Sequence, residues 1–146
     1  MSQADFQAAS LVSRRNQAAD VIAPDGSDIR LLIDQQHGAG RASLCEVTLA
    51  AGGVSRPVWH RTVEEIWYVL AGHGRVWRSP EGENLESEQI VDVGPGDAVA
   101  IPTGWRFQFS ADASEEIQFL CYTSPPWPDP DEAVLVDSGG LGKATV

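Results

Sequence analysis

The stretch PVWHRTVEEIWYVLAG, residues 57–72, sets a histidine and two carboxylates at the head of an aromatic-rich apolar run. An imidazole and a carboxylate can ligate a divalent ion, move protons as an acid/base pair, or neutralise each other as a buried ion pair. His60 and Glu65 have the spacing for all three, and Glu64 is an adjacent candidate. The other histidines stand apart. His73 follows Glu65 by eight residues, roughly 26 Å along an extended strand at about 3.3 Å per residue. It falls in the turn AGHG, so it is expected to be a solvated turn residue that cannot share an ion with Glu65. His37 lies in the loop DQQHGAG and would reach the pair only by a fold-back that the sequence does not specify. No Ser–His–Asp order, glycine-rich phosphate loop or C-x-x-C motif is present.

The elements that must position this pair are short. The 14 glycines and 9 prolines punctuate the chain, and the runs between them are rich in Val, Ile, Leu, Trp and Phe. IRLLID (29–34), ASLCEVTLA (42–50), PVWHR (57–61), EIWYVL (65–70), GRVWRS (74–79), EQIVDVG (88–94), DAVAIP (97–102), RFQFSA (106–111) and EEIQFLCYT (115–123) all read as strands. This spacing predicts an all-β sandwich or barrel rather than βαβ units. Residues 3–20 allow a short helix, with ADFQAASLV its best segment. The tail 125–146 is rich in Pro and then Gly, and reads as an extended arm with a frayed end.

Two turns matter. If 57–60 pairs with 65–70 across the four-residue loop Arg61–Glu64, His60 sits directly opposite Glu65, with Cβ atoms about 5 Å apart. Alternation then puts Val58 and Trp67 on the same face. In the second turn, IPTGW, Pro102 fixes φ and Gly104 supplies a conformation that other residues resist. Beyond it Phe107 and Phe109 share a face.

Composition narrows the function classes. With 146 residues the chain is expected to form one domain. Its 21 acidic against 10 basic residues give a formal charge of -11. That argues against nucleic acid and against anionic membrane surfaces as partners. The N-terminus MSQADFQAASLVSRR lacks a cationic start followed by an apolar core, and no run reaches membrane-helix length, so the cytoplasm is the expected compartment. Cys45 and Cys121 are accordingly read as reduced thiols. Asp129, Asp131 and Glu132 in the tail are expected to be exposed, as are the acids of SPEGENLESE.

The pattern GG-x5-W-H-x4-E-x6-G at 52–72, followed by G-D-x4-P-x-G at 96–104, resembles the two motifs of the cupin superfamily. The second motif matches at Gly96, Asp97, Pro102 and Gly104. The resemblance implies a cupin-type jelly-roll barrel over residues 29–124, between an N-terminal arm (1–28) and the C-terminal tail (125–146). It implies a ligand cavity inside the barrel, and often a divalent metal and a homodimer. Carried over residue by residue, the family's ligand positions fall on Val58, His60, Glu65 and Phe107, so two of the four are apolar. The metal site is degenerate, with His60 and Glu65 as its remaining ligands. No cofactor is expected, although a loosely held divalent ion completed by waters stays open.

The resulting reading is a small-molecule-binding barrel whose pocket is lined by Val58, Trp67, Phe107 and Phe109, with Trp105 at the rim. His60 and Glu65 are the candidate catalytic pair for metal-free acid/base chemistry of isomerase, cyclase or lyase type. The carboxylate favours a charged imidazole and burial opposes it, which would leave His60 titrating near neutrality. The alternative is a metal-dependent cupin enzyme, dioxygenase or sugar-isomerase-like, with an incomplete ligand set. A third reading makes the pair a relic that only orders the hairpin.

Overall fold

The computed structural model describes residues 11–80 and 89–146. Each of the nine apolar runs forms a strand, and two short strands join them. In chain order these are β1 (Val21–Ile22), β2 (Asp28–Ile33), β3 (Ser43–Leu49), β4 (Val58–His60), β5 (Glu64–Ala71), β6 (Gly74–Ser79), β7 (Ile90–Val93), β8 (Ala98–Ile101), β9 (Arg106–Ala111), β10 (Ile117–Ser124) and β11 (Ala133–Leu135). They build two antiparallel sheets, ordered β1-β2-β3-β10-β5-β8 and β11-β4-β9-β6-β7. The fold is the all-β barrel expected. Of the segment expected to allow a helix, residues 3–10 lie outside the described residues, and residues 11–20 carry no helix. Among the described residues no helix is long and apolar enough to cross a membrane.

Alternation does the sorting. Along β5, Glu65, Trp67 and Val69 are buried while Ile66, Tyr68 and Leu70 are exposed. Along β10, Ile117, Phe119, Cys121 and Thr123 are buried. The inward rows of the two sheets meet around an aromatic cluster. Trp67 stacks on Phe119 at 4.4 Å between ring centroids and meets Phe107 and Phe109 edge-on at 5.4 and 5.3 Å. These four rings and the branched aliphatic side chains around them form one contiguous core.

The pairing of β4 differs from expectation. The four-residue gap suggested a hairpin, but β4 and β5 belong to different sheets. β4 pairs with β9 and β11, and β5 with β10 and β8. Their backbone groups are thus satisfied elsewhere. The residues between them, Arg61–Val63, form an arch from one sheet to the other, with Val63 fully buried beneath it. His60 and Glu65 therefore approach each other across the barrel interior, not side by side in one sheet.

The C-terminal tail also differs from the frayed arm expected. Ala133, Val134 and Leu135 pair with His60, Trp59 and Val58. Farther on, the tail crosses the outer face of the second sheet. There Gln108 donates to the Gly142 carbonyl and accepts from the Leu141 amide. Gly140 lies so close to the Trp77 indole that a Cβ would collide with it. The tail ends beside Val54, held by both backbone and hydroxyl of Thr145.

Because Phe119 is 1% exposed and touches both Trp67 and Phe109, Phe119→Ala should lower the unfolding free energy by about 3–5 kcal/mol. Denaturant unfolding with an unchanged m-value would register it.

Candidate functional site

Strand register arranges the interior in layers. Across the first sheet, Ser43, Thr123, Glu65 and Ile101 lie in one row. The next row is Leu31, Cys45, Cys121, Trp67 and Val99. In the second sheet Val58 pairs with Phe107, and His60, two residues along β4 from Val58, closes the same end. One end of the barrel interior is therefore polar, and everything beneath it is apolar. Val58, Trp67 and Phe107 form the floor of the polar layer, and Phe109 lies one layer deeper. Trp105 is half-buried in the turn whose Gly104 amide donates to the His60 carbonyl. That turn needs Gly104 at φ +83, a conformation costly for other residues.

Glu65 is held by neutral donors. Its Oε1 accepts from the Trp67 indole at 2.9 Å, and its Oε2 accepts from the Thr123 hydroxyl at 3.4 Å. His60 Nδ1 is 3.9 Å from Glu65 Oε2, beyond hydrogen-bond range. That nitrogen is buried and has no hydrogen-bond partner. The imidazole is oriented instead by aromatic edges, with Phe107 and Trp127 each at 5.1 Å. Two hydrogen-bonding atoms thus stand 3.9 Å apart with no hydrogen bond between them.

Burial fixes the charge state of the pair. It pushes the Glu65 carboxyl from an ordinary value near 4.5 up to about 7, against the pull of the Trp67, Cys121 and Thr123 donors. It pushes the His60 imidazole from 6.5 down to about 4, with the Glu132 charge opposing. The expected roles are exchanged: Glu65, not His60, titrates near neutrality. The physical reason is mutual. A protonated carboxyl supplies no charge to hold an imidazolium, and a neutral imidazole supplies none to hold a carboxylate.

The arch that joins the two residues is clamped from outside by the tail. Glu132 accepts hydrogen bonds from the Thr62 amide and hydroxyl and from the Val63 amide. Arg61 donates its amide to the Glu132 carbonyl and its Nε to the Asp131 carbonyl. Glu132 was expected to be exposed with Asp129 and Asp131; it is 3% exposed. Burial disfavours its charge, but the Thr62 and Val63 donors and nearby His60 together hold its carboxyl below the usual range. Trp127, from the same arm, reaches His60 while remaining half-exposed, and its amide donates to Ser43 Oγ. Trp127, Glu132 and Thr123 were not singled out from sequence. The only signal for Trp127 was a tryptophan set among prolines in PPWPDP.

The remaining histidines are bonded elsewhere. His37 closes a single 3-10 turn, its Nδ1 accepting from the Asp34 amide. His73 is in the β5–β6 turn and bonds Glu115 at 2.9 Å, which raises its pKa. Among the described residues, the three-ligand group is the exposed set His73, Asp112 and Glu115. At the barrel end, one imidazole and one carboxylate face each other above the buried side chains of Val58 and Phe107. Catalytic zinc takes three protein ligands, and the iron triad two histidines with a carboxylate. The donor set here does not match either.

A family model described as cupin matches residues 15–127. An uncharacterised protein of Methanocaldococcus jannaschii is 30% identical over 115 residues, 78% of this chain and 86% of that one. The L-ectoine synthase of Mycobacteroides abscessus is 29% identical over 105 residues, 72% of this chain and 73% of the enzyme. The structure of the polyketide cyclase RemF from Streptomyces resistomycificus superposes with a TM-score of 0.62 at 25% identity, covering 87% of this chain and 82% of that one.

The exchanged protonation has a measurable signature. Between about pH 4.5 and 6.5 the folded pair holds one proton on Glu65, while the unfolded chain holds it on the imidazole. The proton counts are equal, so the pair adds no slope to stability in that window. In Glu65→Gln the lowered histidine stands alone. Its contribution is complete above pH 6.5 and is lost as pH falls toward 4, by about 3 kcal/mol. In His60→Gln the raised carboxyl stands alone, and its contribution is complete below pH 4.5 and is lost as pH rises to about 7. Unfolding free energies across pH 4–7, each variant minus wild type, should therefore slope in opposite directions.

Proposed function

The chain belongs to the cupin family, and we propose that its barrel binds a small carbonyl or sugar-like molecule and turns it over by metal-free proton transfer between His60 and Glu65. The observation that carries this reading is the buried imidazole and carboxyl set 3.9 Å apart without a hydrogen bond, with burial shifting their pKa values in opposite directions. Environments that drive two titrating groups apart mark out an acid and a base. Glu65, which titrates at about 7, is the acid in its protonated form and donates to a substrate oxygen. Neutral His60 is the base and accepts a proton from the adjoining carbon. The dyad passes from neutral to a carboxylate–imidazolium pair, whose mutual attraction at short range stabilises it in a low-dielectric interior. The reverse transfers return it to its starting state directly; where the oxygen leaves as water with the Glu65 proton, the imidazolium proton must then pass to the Glu65 carboxylate, 3.9 Å away. Isomerisation, ring closure and elimination all use such steps, and likeness to a polyketide cyclase supports ring closure among them.

In this reading Val58, Trp67 and Phe107 are the floor of the ligand pocket, Phe109 backs them, and Trp105 borders the rim. The set is apolar with few polar groups, as small-molecule pockets are. The compartment in this reading is the cytoplasm, where the reducing poise favours the thiol form of the two cysteines. Once a substrate is found, His60→Ala and Glu65→Gln should each lower kcat by about 10²–10⁴-fold. Purified protein should contain much less than one divalent ion per chain. Unchanged turnover in both variants would rule out the dyad, and one tightly held ion per chain would replace this reading with a metal-dependent one.

We further propose a homodimer formed by the outer face of the first sheet. Ile66, Tyr68, Leu70 and Tyr122 are 48, 49, 39 and 42% exposed. Pairing puts Tyr122 beside Ile66, Leu120 beside Tyr68, and Ala98 and Ala100 beyond them. The centre of this patch is uncharged in a chain of net charge -11, and the acids on its border are Glu64 on β5 and Glu46, which is paired with Arg15 and Arg30, so a second copy can meet the centre without like-charge repulsion. Light scattering should give a dimer for wild type and a monomer for Tyr68→Glu; a monomeric wild type ends the idea.

A further inference from the structure

A second pair of reactive side chains lies one layer below Glu65. Cys45 on β3 and Cys121 on β10 are direct partners in the antiparallel ladder. Directly opposed residues project from the same face, here the barrel interior. Both are free thiols, Cys121 buried and Cys45 half-buried. Opposed residues in such a ladder keep their Cα atoms about 4.5 or 5.5 Å apart, according to pair type. Disulfides span about 4.4–6.8 Å between Cα atoms and want Cβ atoms about 3.5–4.5 Å apart, so the closer, non-hydrogen-bonded pair type can close as it stands and the wider type closes with a small strand shift.

The pair is reachable from outside and connected to the site. On its other side Cys45 faces Leu31, which is 53% exposed, so this row opens toward solvent at the Cys45 end. At the inner end Cys121 Sγ lies 3.7 Å from the Thr123 hydroxyl, which donates to Glu65 Oε2 at 3.4 Å. Cys121 is thus within one side chain of the carboxyl that this reading makes the acid.

We propose that Cys45 and Cys121 form a reversible cross-strand disulfide that regulates the Glu65 site. The regulatory half rests on Glu65 being the acid; the disulfide itself does not. In the first step the Cys45 thiolate attacks a low-molecular-weight disulfide of the glutathione class. The small S–S bond breaks and one small thiol leaves. Cys121 then gives its proton to water, and its sulfur attacks that of Cys45, expelling the second small thiol. Two protein thiols are oxidised and one small disulfide is reduced to two thiols. Burial holds the Cys121 thiol well above its usual pKa, so the second step is slow and closure requires sustained oxidation. Closure removes the Cys121 thiol hydrogen from the donors that surround Glu65.

The test equilibrates the full chain in glutathione buffers of stepped oxidation, quenches with acid, and measures free thiols and intact mass. Both thiols should disappear together, with the mass lower by two hydrogens and a cross-linked peptide joining positions 45 and 121. Cys45→Ser and Cys121→Ser should each abolish that cross-link. Two persistent free thiols, arrest at a glutathione adduct on Cys45, or an intermolecular dimer would overturn the disulfide. For regulation, the Glu65 carboxyl is titrated by ¹³C NMR, with its signal assigned through Glu65→Gln. Its midpoint should move up on oxidation of wild type and stay fixed in Cys45→Ser; an unmoved midpoint in oxidised wild type overturns the regulatory half. Neither readout needs a substrate, so a failure to find turnover would count against the proposed function alone.

Discussion

Desolvation governs this structure more than any pairwise attraction. Two ionisable groups are placed at the end of an aromatic barrel and lose their water. The donors offered to Glu65 come from Trp67 and Thr123, which carry no charge. Such contacts satisfy a carboxyl but offset only part of the cost of ionising it. Between about pH 4.5 and 6.5 folding therefore transfers the proton from imidazole to carboxyl, and the pair becomes neutral. Its separation of 3.9 Å follows from this, since no net charge draws the two side chains together. So does the orientation of His60, which is set by the edges of Phe107 and Trp127 rather than by an ion pair.

Charge is kept just outside that neutral layer. Glu132 is the anion nearest His60 in its effects, and it is ionised because three backbone and hydroxyl donors of the arch converge on it. The same bonds fix the arch, and the arch fixes the distance between β4 and β5 at this end. A negative charge thus serves the backbone at the rim while the interior remains uncharged. Charge-assisted hydrogen bonds are stronger than neutral ones, which suits a junction that has no ladder of its own between the two strands.

Strands were legible in the sequence because two signals agreed. Runs such as EIWYVL alternate cleanly, and glycine or proline bounds them. The resemblance at Gly96, Asp97, Pro102 and Gly104 then selected a barrel. Strand partners were not legible at β4. Four residues suit a hairpin and an inter-sheet arch equally, and the choice depends on β9 and β11, which are distant in sequence. The interior positions of Val58 and Trp67 survived that error because alternation holds in either topology. Glu132 was misread for the same kind of reason. DPDE looks like a solvated acidic run, and only Thr62 and Val63, about 70 residues earlier, reveal the buried end. The direction of the histidine shift was also hidden, because it depends on how completely the carboxylate is dried.

The clamp by the C-terminal arm has a consequence in time. Trp127, Glu132 and the strand Ala133–Leu135 follow β10 in the chain and are synthesised after it, yet they cover His60, fix its arch and supply the edge partner of its strand. Domains acquire structure as they emerge during synthesis. The first sheet can complete its ladders once β10 has emerged, whereas the polar layer has no outer wall until residues beyond Leu135 are released. A nascent chain paused before that point would hold a folded scaffold with an open, hydrated end, in which His60 and Glu65 keep the charges that the finished protein takes away.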